Sequence, residues 1–173
     1  RSGHAVLSVE YRLAPEHPFP AAVQDAVQAV QWVIGCASGV GLEFASIALA
    51  GDSAGGNLAV VAAIHLRDSA QDALRALVII YPCVTIVSER PSRTTFSEGF
   101  VLDRASLDWF FSRYLPDGGE DDWRASPLNA QSLERLPPIL MLTAGLDPLT
   151  DDCRAFAERV VSEGGRIVEV HVE

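Results

Sequence analysis

No apolar run in the chain reaches the roughly 18 residues that a membrane-spanning helix needs, and Arg1-Ser2-Gly3-His4 does not lead into a secretory signal. The expectation is a soluble, cytoplasmic chain. Positive charge is scarce as well: 13 Lys plus Arg stand against 23 Asp plus Glu, for a net charge of -10 and a pI near 4.7. Binding to nucleic acid or to an anionic membrane needs clustered Lys and Arg, so neither partner is expected. Cysteine is limited to Cys36, Cys83 and Cys153, an odd number at wide spacing. They fit neither a disulfide framework nor a zinc site and read as small buried hydrophobes. The acidic stretch from Pro116 to Asp122 lacks the spacing of a calcium loop and reads as a solvated turn. No metal, cofactor, internal repeat or low-complexity tract is expected.

What the chain does have is apolar material for a core. Hydrophobic residues make up 49% of its 173 positions, and the mean hydropathy is +0.18. That length and composition suit one packed domain over residues 1–173. Ala5-Val6-Leu7-Ser8-Val9 is short, apolar and branched, as a buried parallel strand should be. Three prolines between Glu10 and Pro20 then force an extended loop. From Pro20 a helix follows, with Val23, Ala26, Val27, Val30, Val33 and Ile34 on one stripe and Gly35 as its stop.

Ile47-Ala48-Leu49-Ala50 reads as a second strand, and Leu58 to Leu66, apolar nearly all round, as a helix buried under the sheet. A further strand runs from Ala76 to Tyr81. Residues 84–137 interrupt the rhythm with an insertion. It holds one clear helix, capped by Asp103, with Leu107, Phe110, Phe111 and Tyr114 on its inner face. The alternation resumes with a strand from Ile139 to Thr143 and a helix presenting Leu149, Cys153, Phe156, Ala157 and Val160, which ends at Gly164-Gly165. Arg166 to Glu173 alternates apolar and polar residues, as an edge strand with one wetter face would. Such an edge raises the expectation of a homodimer through the last strand. Strands alternating with helices predict an α/β fold with a mostly parallel central sheet and helices on both faces.

One stretch stands at the centre of that pattern. Between the strand at Ile47 and the helix at Leu58 lies Gly51-Asp52-Ser53-Ala54-Gly55, a Gly-x-Ser-x-Gly pentapeptide. In a strand–turn–helix setting this is a nucleophile elbow: the serine sits on a strained turn whose crowded backbone favours flanking residues without a Cβ. A helix starting just after Ser53 also aims its free N–H groups at whatever negative charge develops there. Taken alone, Ser53 is a turn serine and Asp147 the N-cap of the following helix. Both nevertheless fall just past the C-terminal ends of predicted parallel strands, the edge where open α/β sheets place their sites. The order Ser before Asp is also that of the Ser, Asp, His triad in α/β hydrolases.

The third triad member is harder to place. His4 and His17 precede the serine. His65 lies about 18 Å along the helix axis from Ser53 at roughly 1.5 Å per residue. His171 follows Asp147 but sits within a predicted strand, whereas a base in this layout belongs on the loop beyond it. The histidine is expected just after Glu173.

Gly51 to Ala59, together with Val9-Glu10-Tyr11-Arg12-Leu13-Ala14-Pro15-Glu16 and Asp147-Pro148-Leu149, resembles the hormone-sensitive-lipase-like carboxylesterases of the α/β-hydrolase fold. The resemblance implies Ser53 as nucleophile, Asp147 as triad acid and the Ala54 N–H as an oxyanion donor. It implies Gly51, Asp52, Gly55, Gly56 and Asn57 as supports of the elbow, and Tyr11, Arg12, Pro15, Glu16 and Pro18 as braces of the neighbouring loop. Ser126-Pro127-Leu128 matches a further family segment with a scaffold role. The implied activity is hydrolysis of a small carboxylic ester, with a short acyl chain, through an acyl-enzyme. The His-Gly-Gly-Gly oxyanion loop and the N-terminal cap of that family do not occur in this sequence, so truncation at both ends and near-inactivity of these residues alone are expected. A small-molecule receptor on the same fold is the alternative, because such receptors keep the serine and lose the histidine.

Overall fold

The computed structural model describes residues 3–36, 39, 46–71 and 73–173. Four parallel strands form its sheet in the order β1 (Ile47–Asp52), β2 (Leu74–Ile80), β3 (Ile139–Ala144) and β4 (Ile167–Val172). Helix α1 (Ala21–Cys36) precedes β1, and between the strands run α2 (Ala54–Asp68), α3 (Pro91–Thr95), α4 (Arg104–Tyr114) and α5 (Thr150–Ser162). Parallel neighbours need a crossover connection, and α2 and α5 supply two of the three. Residues 81–138 supply the third.

One face of the sheet carries the core. Leu49 stands opposite Leu77, and Leu77 and Ile79 stand opposite Ile139 and Met141. Against this row pack α2, buried from Gly56 to Ile64, and α5 with Cys153, Phe156 and Val160. Alpha-helical periodicity explains both: α2 is apolar nearly all round because α1 covers its outer side, whereas α5 presents one stripe inward. The opposite face, with Ala48, Ala50, Leu140, Val168, Val170 and Val172, is exposed among the described residues.

Three expectations change in detail. Ala5–Val9 forms no strand and joins no ladder among the described residues, and Val6 and Leu7 are 87% and 57% exposed. Composition favours a strand there, but a strand needs a neighbour to complete its hydrogen bonds. The insertion contains a second helix, α3, too short at five residues to show a periodic signal. In α4 the Asp103 carboxylate accepts from Ser106 N as expected of an N-cap, and Leu107, Phe111 and Tyr114 turn inward, but Phe110 turns out to solvent and stacks edge-on with Trp109. Cys83 and Cys153 are buried, whereas the Cys36 side chain lies outside the described residues.

The core assignment has a direct consequence. Phe156→Ala is expected to cost about 3–5 kcal/mol in urea unfolding, since Phe156 is fully buried. Phe110→Ala should stay within about 0.5 kcal/mol of the parent.

Candidate active site

The C-terminal edge of the sheet is built from one rung, Asp52 opposite Ile80 opposite Leu142. Two further hydrogen bonds extend the ladder beyond it, Ser53 N to Ile80 O at 2.9 Å and Tyr81 N to Leu142 O at 2.7 Å. Immediately past this edge the chain reverses at Ser53, whose φ is 50° and ψ -115°. A non-glycine residue held there costs on the order of 1–3 kcal/mol, so the surrounding packing has to enforce it. Tyr81, at φ 35°, is a second such residue on the same edge. Nothing in the sequence marks Tyr81, because tyrosine is not a turn residue.

The packing that enforces the turn is the near-contact of β1 with the first turn of α2. A Cβ on Gly51 would overlap the carbonyl of Gly55, and one on Gly56 would lie 2.9 Å from Pro82 Cβ. Gly55 differs from expectation: a Cβ there would meet only Asp52 Oδ1 at 4.0 Å. The steric demand therefore falls on Gly51 and Gly56. Asn57, 5% exposed, donates through Nδ2 to Cys83 O at 2.7 Å and to Ala125 O at 2.8 Å, fastening α2 to the loop after β2 and to the insertion. Asp52 is exposed, and its carboxylate accepts no hydrogen bond from a described residue.

Ser53 is half-buried, and the Ala54 N–H beside it is the first of α2, given to no backbone carbonyl among the described residues. The positive end of α2 thus opens toward Ser53. In the preceding loop Tyr11 packs on the Ala22, Val23, Leu58 and Val61 cluster. Arg12 grips Asp25 of α1 through Nε and Nη2, at 2.9 and 2.8 Å. Ser126, fully buried, accepts from Ile86 N and donates to Glu120 O, a purely internal role. Asp122 is engaged by Arg124 at 2.7 Å.

Asp147 lies in the turn after β3. Its Oδ1 accepts from Leu149 N at 2.8 Å, which closes a turn just ahead of α5; the N-cap of that helix is Leu149 and not Asp147. The histidines are elsewhere. His171 Nδ1 lies 2.9 Å from Thr143 Oγ1, which donates to Glu169, and His65 is exposed near the far end of α2. The groups that sequence reasoning missed are Ser92, Arg93 and Asp152. All three are buried beside the Asp147 turn, and the Pro91 that starts α3 is the one local signal for them.

Burial raises the Asp147 carboxyl above its ordinary range, and the Leu149 N–H and the Arg93 charge pull it part of the way back. A carboxyl raised on folding holds its proton more tightly when folded, so its ionisation costs stability as pH climbs through the ordinary value to the raised one, and the cost persists at neutral pH. Asp147→Asn keeps the acceptor for Leu149 and removes the charge. It is expected to melt above the parent at pH 7, with the difference closing toward pH 4. Thermal melts across that range check the sign.

The fold and this edge can be set beside known proteins. A family profile described as the alpha/beta hydrolase fold matches residues 1–173. The carboxylic ester hydrolase LipN of Mycobacterium tuberculosis is 42% identical over 171 residues, which cover 92% of this chain and 44% of that protein. The ethyl acetate hydrolase of Pseudomonas putida is 36% identical over 165 residues, 94% of this chain and 52% of the relative. Among solved structures, the hyperthermophilic esterase of the archaeon Pyrobaculum calidifontis superposes with a TM-score of 0.88 at 41% identity, over 94% of this chain and 53% of that one. The chain thus spans about half the length of the curated relatives it matches. A four-stranded parallel sheet whose first strand reverses at a strained serine into a buried helix agrees with that match throughout, and the chain belongs to the alpha/beta hydrolase fold family.

Proposed function

We propose that this chain carries the serine and the acid of a carboxylic-ester hydrolase of the hormone-sensitive-lipase-like type. The observation that carries the reading is the turn at Ser53: a serine at φ 50°, fixed by the Gly51–Gly55 approach, at the positive end of a buried helix. Such a serine, once deprotonated by a base, attacks the ester carbonyl to form an acyl-enzyme and expel the alcohol. The Ala54 N–H is placed to donate to the oxyanion. Asp147 follows β3, two strands from β1, so at roughly 4.8 Å per strand the two strand ends are about 10 Å apart. That gap suits an imidazole bridging the two side chains through a hydrogen bond at each nitrogen. The names of the relatives, ester hydrolases and one ethyl acetate hydrolase, support a small ester with a short acyl chain as substrate.

His171, the histidine that follows Asp147 in the chain, is held by Thr143, and the Asp147 Oδ1 accepts from Leu149 N. Residues 1–173 by themselves are therefore nearly inactive in this reading. The full-length form of the protein should release p-nitrophenol from p-nitrophenyl butyrate, and Ser53→Ala should lower the rate at least about 1,000-fold. Residues 1–173 alone should turn over at the level of Ser53→Ala. Undiminished activity in Ser53→Ala would overturn the proposal.

The open edge of β4 is the surface by which two copies would pair, with Val168, Val170 and Val172 at 63%, 44% and 56% exposed beside it. Sedimentation velocity on the full-length form should show a dimer that Val170→Lys dissociates; a monomer at all concentrations would refute this pairing.

A further inference from the structure

The turn that presents Asp147 is held from outside by α3. Ser92, 3% exposed, makes one hydrogen bond to it and two to Asp151 in the first turn of α5. Its Oγ donates to Pro148 O at 2.8 Å and accepts from Asp151 N at 3.2 Å, and its own N–H donates to Asp151 Oδ2 at 2.8 Å. The residues on both sides of Leu149 are therefore tied to one serine from a helix more than fifty positions earlier in the chain. The Thr150 hydroxyl closes the turn from within by donating to Ala144 O.

Arg93 fixes α3 itself. It is 5% exposed, and its Nε meets Asp152 Oδ2 at 2.8 Å while Nη2 donates to Thr85 O at 2.9 Å. Asp152 has no exposed surface, and its Oδ1 accepts from Ser88 Oγ at 2.6 Å and Arg90 Nη1 at 3.0 Å. A buried carboxylate with this many donors stays where the donors put it, because leaving any of them unpaired is costly. The groups within electrostatic reach of Asp147 are Arg93 from α3, Cys83 from the loop after β2 and Cys153 from α5. Burial pushes both thiols up, Cys83 to about 11, so near neutral pH they carry no charge. Arg93 is the cation that favours an ionised Asp147.

From this geometry we infer that Ser92 and Arg93 are positioning residues for Asp147: Ser92 sets the backbone of its turn, and Arg93, locked on Asp152, sets the orientation of α3. The inference rests on Asp147 being the triad acid. It assigns to α3 a part in catalysis without contact with substrate. A carboxylate displaced from its base no longer stabilises the protonated imidazole, so the base loses affinity for protons as well as orientation.

Four variants of the full-length form test this with p-nitrophenyl butyrate: Ser92→Ala, Ser92→Thr, Asp147→Asn and the double variant Arg93→Met/Asp152→Leu. Ser92→Ala is expected to lower kcat at least about tenfold with KM within about twofold, and to move the acid limb of the kcat/KM profile to lower pH by at least about half a unit. Ser92→Thr, which keeps the hydroxyl, should restore most of kcat and return the limb. The double variant removes the buried Arg93–Asp152 ion pair as a unit and so keeps the fold within reach, and it too should lose kcat at unchanged KM. If Asp147→Asn is inactive while Ser92→Ala keeps its kcat and its acid limb, the positioning role is wrong and the triad acid stands. If Asp147→Asn remains fully active, the triad assignment fails and the positioning role falls with it. A Ser92→Ala variant that loses thermal stability with an unmoved limb and unchanged kcat also overturns the inference.

Discussion

The contact between the end of β1 and the first turn of α2 is the constraint on which the site depends. Gly51 meets Gly55, Gly56 meets Pro82, and neither approach leaves room for a side chain. With backbone this close, Ser53 has one path from strand to helix, and that path runs through positive φ. The cost of the turn is offset by what surrounds it: α2 is buried almost from its start, and Asn57 fastens it to two separate loops. Large apolar burial holds a small local strain, so the strain is kept at the serine itself.

The second half of the edge is held differently. Asp147 owes its place to a polar lattice, in which a buried carboxylate, two arginines and two serines join α3 to α5. Such a lattice adds little net stability, since desolvating the charges offsets most of their attraction. Its effect is specificity of geometry. The two ends of the edge thus use two kinds of force, close apolar packing at Ser53 and satisfied buried charge at Asp147.

Much of this was legible in the sequence, because periodicity reports burial. The stripes of α1 and α5, the all-round apolar character of α2 and the strands β2 to β4 follow from spacing, and Gly51-Asp52-Ser53-Ala54-Gly55 marks the turn by composition. Readings failed where the outcome depends on a distant partner. Ala5–Val9 has the composition of a strand and no neighbour among the described residues, and Phe110 has the spacing of the inner face of α4 but pairs with Trp109 outside it. Gly55 fits the motif, but its neighbour Gly56 meets the closer steric limit, because Pro82 approaches from the loop after β2. Asp152 carries no local signal and Ser92 only that of the preceding Pro91, since the bonds that give them meaning span about sixty residues of chain.

The reach of the Asn57 side chain has a consequence in time. Its two acceptors lie 26 and 68 positions further along the chain, so neither bond forms until β2 has docked and the insertion has folded back. Closing a loop costs entropy before the contact at its end repays it, and the longer closure comes second. Strand β1 and helix α2 can come together early, from neighbouring residues. The serine between them is not fully braced until Ala125 reaches the amide of Asn57.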